Sequence, residues 1–318
     1  MKQKIELIMD IQFKDFWPGF ENEPNIFLDY FEHNNHINQK LEASGISKIV
    51  FKSVFPKKTK MNRIQREYTR FKDLFSQVEE EKEQGCISIW YSGENMRPPL
   101  SHDFDAYLSF DLDSFGERNV YFPLIFLSMN PYQLNVQKRL GIDYCSEILL
   151  QRRVLNPKKN SKSICIIAGK HPIRTAVVEE FQKYFQVDVF GGMSNAPVNE
   201  KHSVAKNYQY MLCLENDLYP GYVTEKLVEA YVCETIPLYW GNTEGNFYLN
   251  SQSFSNLCDF KDIATWAKYV DSISEPKYRE IYEQPLLLSE PPIQLHLTKL
   301  FEFILRRKQF ERKNTQEL

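Results

Sequence analysis

The second half of the chain alternates two patterns that few folds accommodate. Short continuous apolar runs, "ICIIAGK", "VDVFGG", "YMLCLEN" and "TIPLYWG", are separated by stretches with helical spacing, "PIRTAVVEEFQKYF" and "VTEKLVEAYVC". A short run that is apolar at nearly every position suits a strand buried on both faces, as in a parallel sheet. In the first helical stretch Ile173, Val177, Phe181 and Tyr184 share one stripe. Strand and helix in alternation predict a parallel sheet with helices on both faces. Each apolar run stops at a glycine or polar turn: Gly169, Gly191 with Gly192, Asn216 and Gly241. In open α/β sheets ligands bind beyond the carboxyl ends of the strands, so these turns mark one rim.

The first half mixes the same signals less regularly. "SKIVFKSVF", "CISIWYSGEN" and "FDAYLSFD" read as strands, the last through the alternation of Phe104, Ala106, Leu108 and Phe110. The segment 62–85 reads as a helix, with Ile64, Tyr68, Phe71, Phe75 and Val78 on one face and Gly85 at its end. The polar, basic "RVLNPKKNSKS" reads as a linker around Pro157. A length of 318 residues allows two domains. The expected division is 1–156, 157–305 and a basic tail over 306–318. That tail holds five Lys/Arg against two Glu from Arg306 onward and continues an apolar helical stretch.

Bulk properties exclude several classes. A net charge of -3 gives no global basic field for nucleic acid. "MKQKIELIMDIQF" is too short and interrupted to read as a secretion signal, and no run approaches the roughly 20 apolar residues of a membrane span. Six cysteines without CxxC spacing predict buried, reduced thiols in a cytosolic protein. The high aromatic fraction, 14%, suits a packed core and sugar or base stacking equally.

Candidate chemistry gathers on the rim. Lys226 falls in the first turn of a helix, where the dipole disfavours a cation unless an anion is bound. Either a phosphate-bearing ligand sits there, or the helix is simply Thr-capped with a solvated ion pair. Arg174 opens another helix on the rim, and a guanidinium can grip phosphate with two hydrogen bonds; alone it reads as a surface arginine. The two together point to a diphosphate. Neither GxGxxG nor GxxxxGK[ST] occurs, which argues against a dinucleotide dehydrogenase and a P-loop ATPase. Glu94, just after a strand in the other half, is either a solvated surface residue or a general base. "FDLD" imitates a metal-holding aspartate pair in Asp111 and Asp113, but no other ligand lies near it, and the six histidines lack HExxH spacing.

The long gapped pattern "LENDLYPGYVTEKLVEAY…TIPLYWG" resembles glycosyltransferase family 10, the α-1,3/α-1,4-fucosyltransferases, in their bacterial type. "YSGEN", "IRTAVVEEF" and "FGGMSN" extend the resemblance over roughly Trp90 to Phe260, with Leu214 where the family commonly has Phe. The resemblance implies an α/β chain of GT-B class, with two Rossmann-like domains facing a central cleft and a C-terminal helix. It implies inverting transfer of L-fucose from GDP-β-L-fucose to a hydroxyl of a GlcNAc-containing glycan, N-acetyllactosamine-like or part of a lipopolysaccharide. It makes Glu94 the general base and gives Arg174 and Lys226 to the diphosphate. Asn216, Tyr222, Thr224, Glu225 and the turn at Gly191 and Gly192 become donor contacts. No cofactor is implied as required, with Mn or Mg at most a stimulatory ion. A transferase for another GDP-deoxysugar and a non-catalytic nucleotide-sugar binder are the alternatives. The expected place of work is the cytoplasm, with peripheral contact to the inner membrane through the basic tail.

Overall fold

A computed structural model of the chain describes residues 9–16, 20, 25–53, 85–155 and 163–316, with side chains described as far as residue 311. The helix expected over 62–84 and most of the expected linker lie outside these residues. Two compact units form, Met1–Leu124 with Pro292–Leu318, and Ile125–Pro291.

The first unit runs β1 (Asp10–Lys14), α1 (Ile26–His33), α2 (Asn35–Ala43), β2 (Lys48–Lys52), β3 (Cys86–Tyr91), β4 (Ala106–Ser109) and β5 (Asn119–Tyr121). Its strands pair in sequence order and all in parallel. The second unit runs β6 (Ser163–Ile167), α3 (Pro172–Phe181), β7 (Gln186–Phe190), α4 (Lys201–Ala205), β8 (Tyr210–Leu214), α5 (Lys226–Val232), β9 (Ile236–Trp240), β10 (Ser255–Asn256), α6 (Ile263–Ser272) and α7 (Glu275–Tyr282). Its parallel sheet has the order β10-β9-β8-β6-β7. The expected pair of parallel α/β domains is what forms.

Sequence pattern explains the centre of the second sheet. All five residues of β8 are buried, as a strand with covered faces requires. β9 contains Pro237, which cannot donate to a ladder. Ile236 N donates toward β8, to Gln209 O, so the next residue points its nitrogen to the other side. There β10 pairs only with Leu238 and Tyr239, and the missing donor of Pro237 has no partner to lose. From β6 the chain goes to one side for β7 and returns to the other for β8, β9 and β10. The turns after β6 and β8 therefore diverge, which opens a crevice at the carboxyl ends of the strands.

The division by compactness falls elsewhere than the expected boundaries. Residues 125–155 group with the second unit, and Arg153 shows why. Its guanidinium lies between the rings of Tyr231 and Tyr282, 3.9 and 4.1 Å from their centroids. It also donates to Tyr231 O, Thr235 O and Tyr282 O. Cation–π contact and hydrogen bonding are both strengthened by burial.

The expected separate tail is corrected as well. A final helix, α8 (Ile293–Gln316), runs through Arg306 without a break and belongs to the first unit. Leu297, Leu300, Phe301 and Ile304 are buried, and Phe301 stacks on Tyr30 at 5.7 Å. The first basic residues of the tail are engaged in that unit. Arg307 donates to Asp105 O, Lys308 lies 3.4 Å from the Asp105 carboxylate, and Arg306 lies 3.5 Å from Glu117. Among the described residues no helix is long and apolar enough to cross a membrane. The cysteines are thiols, but not uniformly buried as expected. Cys165, Cys213 and Cys233 are buried, Cys86 is half-buried, and Cys145 and Cys258 are exposed.

Candidate active site

The crevice in the second unit is built around a residue that the sequence reading did not single out. Glu215 directly follows β8, and its carboxylate is fully buried. Its Oε1 accepts from Thr224 N at 2.9 Å and from Tyr239 OH at 3.2 Å. Its Oε2 accepts from Thr224 Oγ1 at 2.8 Å and from Lys226 Nζ at 2.7 Å. Lys226 Nζ also donates to Thr224 Oγ1 at 2.6 Å, so Lys226, Thr224 and Glu215 close a ring. A buried carboxylate is tolerated only when it is paired and hydrogen-bonded, and this one is both.

The ring changes the meaning of Lys226. Its charge is already answered by a buried carboxylate, with Glu225 Oε1 farther off at 3.9 Å. Burial opposes the ammonium charge, but Glu215 and then Glu225 outweigh it and hold Lys226 above its ordinary range. Glu225 itself is pushed up by burial, but Lys226 and Lys201 prevail and lower it to about 2. An ammonium has three N–H donors; two serve Glu215 and Thr224, and one is left at a side chain that is 20% exposed.

Arg174 is likewise tied into the fold. It is 6% exposed, and its Nη1 donates to Gly169 O at 3.0 Å. Its Nη2 donates to Leu214 O at 3.0 Å and to Asn216 Oδ1 at 2.7 Å. This guanidinium stitches the turn after β6 to the turn after β8, across the switch in strand order. Its Nε is buried without a hydrogen-bond partner. The surface arginine allowed by the sequence is thus a buried one.

The glycine turn after β7 belongs to the same rim. Gly191 has φ +78°, and a Cβ there would stand 3.0 Å from Ala168 O, so a side chain is excluded twice over. A Cβ on Gly192 would stand 3.4 Å from the Cα of Gly169. Asn216 is exposed, Tyr222 and Thr224 are buried, and Glu225 is half-buried. Sequence reading also missed Lys201 and Glu229, an ion pair joining α4 to α5. Burial raises the Glu229 carboxyl despite that lysine. The three cations Arg174, Lys201 and Lys226 are thus matched in number by the three carboxyl groups of Glu215, Glu225 and Glu229. A ligand here meets directed hydrogen bonds rather than a basic field.

Glu94 lies in the first unit, half-buried on a bend after β3. Its loop is pinned at three points. Ser92 N donates to Leu108 O, Gly93 N donates to Ser53 Oγ, and Arg97 forms an ion pair with Asp111 at 2.6 Å. Asp111 of "FDLD" is therefore the anchor of the Glu94 loop, while Asp113 Oδ1 accepts from Phe115 N in a local turn. Among the described residues no group of His, Cys, Asp and Glu is placed to hold a metal ion.

Residues 156–283 match the family model described as glycosyltransferase family 10 (fucosyltransferase) C-term. The chain is 27% identical to alpha-(1,3)-fucosyltransferase FucT of Helicobacter pylori over 230 residues, 64% of this chain and 48% of that protein. It is 22% identical to 4-galactosyl-N-acetylglucosaminide 3-alpha-L-fucosyltransferase 9 of Mus musculus over 198 residues, 59% of this chain and 49% of that protein. The matches thus span about half the length of these relatives. In fold, the chain resembles the crystal structure of alpha1,3-fucosyltransferase with GDP-fucose, with a TM-score of 0.60 at 22% identity over 96% of this chain and 92% of that one. The two parallel α/β units are those of the GT-B class.

Proposed function

We propose an inverting fucosyltransferase for this chain, whose residues 156–283 match the family model of glycosyltransferase family 10 (fucosyltransferase) C-term. The reaction moves L-fucose from GDP-β-L-fucose to a hydroxyl of a GlcNAc-containing glycan, in α-1,3 or α-1,4 linkage. The observation that carries this reading is the ring of Lys226, Thr224 and buried Glu215 at the strand-order switch of the matched domain. The remaining N–H of Lys226 suits an oxygen of the departing diphosphate, whose charge grows as the anomeric bond breaks. Arg174 supports this by fixing the two turns that flank the crevice, and its remaining Nη1 donor is available to the same group. The carboxylate of Glu225, held ionised, and the amide of Asn216 suit ribose or fucose hydroxyls. Glu94 of the first unit is the base that takes the proton of the acceptor hydroxyl as it attacks, and a single displacement inverts the anomeric carbon.

The test is transfer itself. The chain with GDP-fucose and a panel of type 1 and type 2 disaccharides is expected to give fucosylated product with inverted anomeric configuration. Because Lys226 and Arg174 supply the donors at the leaving group, excess EDTA is expected to leave turnover largely intact. Loss of activity in EDTA with recovery on adding manganese would transfer that role to a metal ion. Absence of product with every acceptor, while GDP still binds, would reduce the chain to a nucleotide-sugar binder.

A further inference from the structure

We infer that Glu215 is the positioning residue of the donor site, holding the Lys226 ammonium in the one orientation that serves a diphosphate. The inference rests on the donor-site reading above and adds a residue to it. Lysine ends in a compact charge on a flexible four-carbon stem, so by itself its direction is poorly defined. Here two acceptors fix it. Nζ lies 2.7 Å from Glu215 Oε2 and 2.6 Å from Thr224 Oγ1, and the Thr224 hydroxyl passes its own hydrogen to the same carboxylate. With two N–H directions fixed, the third is fixed too.

The carboxylate is itself held from three segments. It follows β8, it takes the Thr224 backbone N–H from the turn before α5, and it takes the Tyr239 hydroxyl from β9. The Tyr239 contact explains the glycine at the end of β9. A Cβ on Gly241 would stand 2.3 Å from the Tyr239 oxygen and displace it from Glu215. Glu225, next to Lys226 in sequence, is a worse holder at 3.9 Å and with a half-exposed side chain. Preorganised donors are effective because they need no reorientation when charge develops on the ligand.

Two effects of Glu215 on an anionic ligand oppose each other, and this makes the inference decidable. As an anion it repels a diphosphate; as a holder it aims the ammonium. If aiming dominates, Glu215→Gln weakens GDP binding by about tenfold or more, the scale of one charge-assisted hydrogen bond. If repulsion dominates, the same change tightens it. A double-mutant cycle separates positioning from general damage to the fold. GDP affinity is measured by calorimetry on the full chain for the parent, Glu215→Gln, Lys226→Gln and the double variant. Tyr239→Phe, alone and with Lys226→Gln, follows as a milder probe that removes one hydroxyl.

Weakening by Glu215→Gln that vanishes in the Lys226→Gln background is the expected result, with a smaller effect of the same kind for Tyr239→Phe. Equal weakening in both backgrounds, or unchanged or tighter binding in Glu215→Gln, overturns the inference while the donor site stands. Should Glu215→Gln fail to fold, the Tyr239→Phe pair decides by the same criterion. A parent chain that binds no GDP overturns the donor-site reading and this inference with it.

Discussion

Glu94→Gln is expected to lower turnover by roughly 10²–10⁴-fold, the usual cost of losing a general base, while GDP affinity stays at the parent level. The amide has the same shape as the carboxyl, and the loop that carries it is held by other residues as well. That loop is fixed by Ser92 N on Leu108 O, Gly93 N on Ser53 Oγ and the Arg97–Asp111 pair. All the groups assigned to GDP lie in the second unit, whereas Glu94 lies in the first. Single-turnover kinetics with GDP-fucose, beside calorimetry with GDP, separate the two effects. Unimpaired turnover, or loss of GDP affinity instead, would remove Glu94 from the role of base.

Lys226→Ala is expected to cost fold stability as well as donor binding. Lys226 is the closest cation to a carboxylate that has no exposure to water. Removing one partner of such a pair leaves an uncompensated buried charge, at a cost of roughly 3–5 kcal/mol. Urea denaturation should show this as a lower midpoint at unchanged slope. Adding Glu215→Gln to Lys226→Ala should restore part of the loss, because the orphaned charge is gone. A midpoint equal to the parent's would show that the ring contributes nothing to stability.

The same cluster sets the pH response. Lys226 is held above its ordinary value of 10.5, so its contribution is complete below that pH and is lost only as pH rises through the folded value. Glu225 is lowered from 4.5 to about 2, so its contribution is complete above pH 4.5 and fades as pH falls toward 2. More than a third of the Glu225 side chain is exposed, so solvent screening makes this acid-side contribution small.

Much of this was readable in the chain, and the rest failed for physical reasons. The strands β6, β8 and β9 were legible because a short run that is apolar at nearly every position suits a strand covered on both faces. The rim turns followed from the same runs. By contrast β1, "DIQFK", of the same length, carries polar Asp10, Gln12 and Lys14, and its strand pairs with β2. The end of α8 from Arg306 onward was read as a separate basic tail because cations dominate it. Its partners, Asp105 and Glu117, lie about two hundred residues earlier in the chain.

At the site, Arg174 and Lys226 stood out because charges at helix starts are conspicuous. Glu215 did not, because a glutamate closing an apolar run reads as the point where a strand meets water. Its burial depends on Thr224, Lys226 and Tyr239 folding onto it from outside the local window. The one local hint was Gly241, whose lack of a side chain leaves room for the Tyr239 hydroxyl.

Calorimetric titration of the full chain with GDP and, separately, with UDP tests the donor site most directly. Saturable GDP binding, clearly tighter than UDP and weakened about tenfold or more by Lys226→Gln, is the expected result. Equal affinity for the two nucleotides, or GDP binding indifferent to Lys226→Gln, would contradict a GDP-sugar site at the Lys226, Thr224 and Glu215 ring.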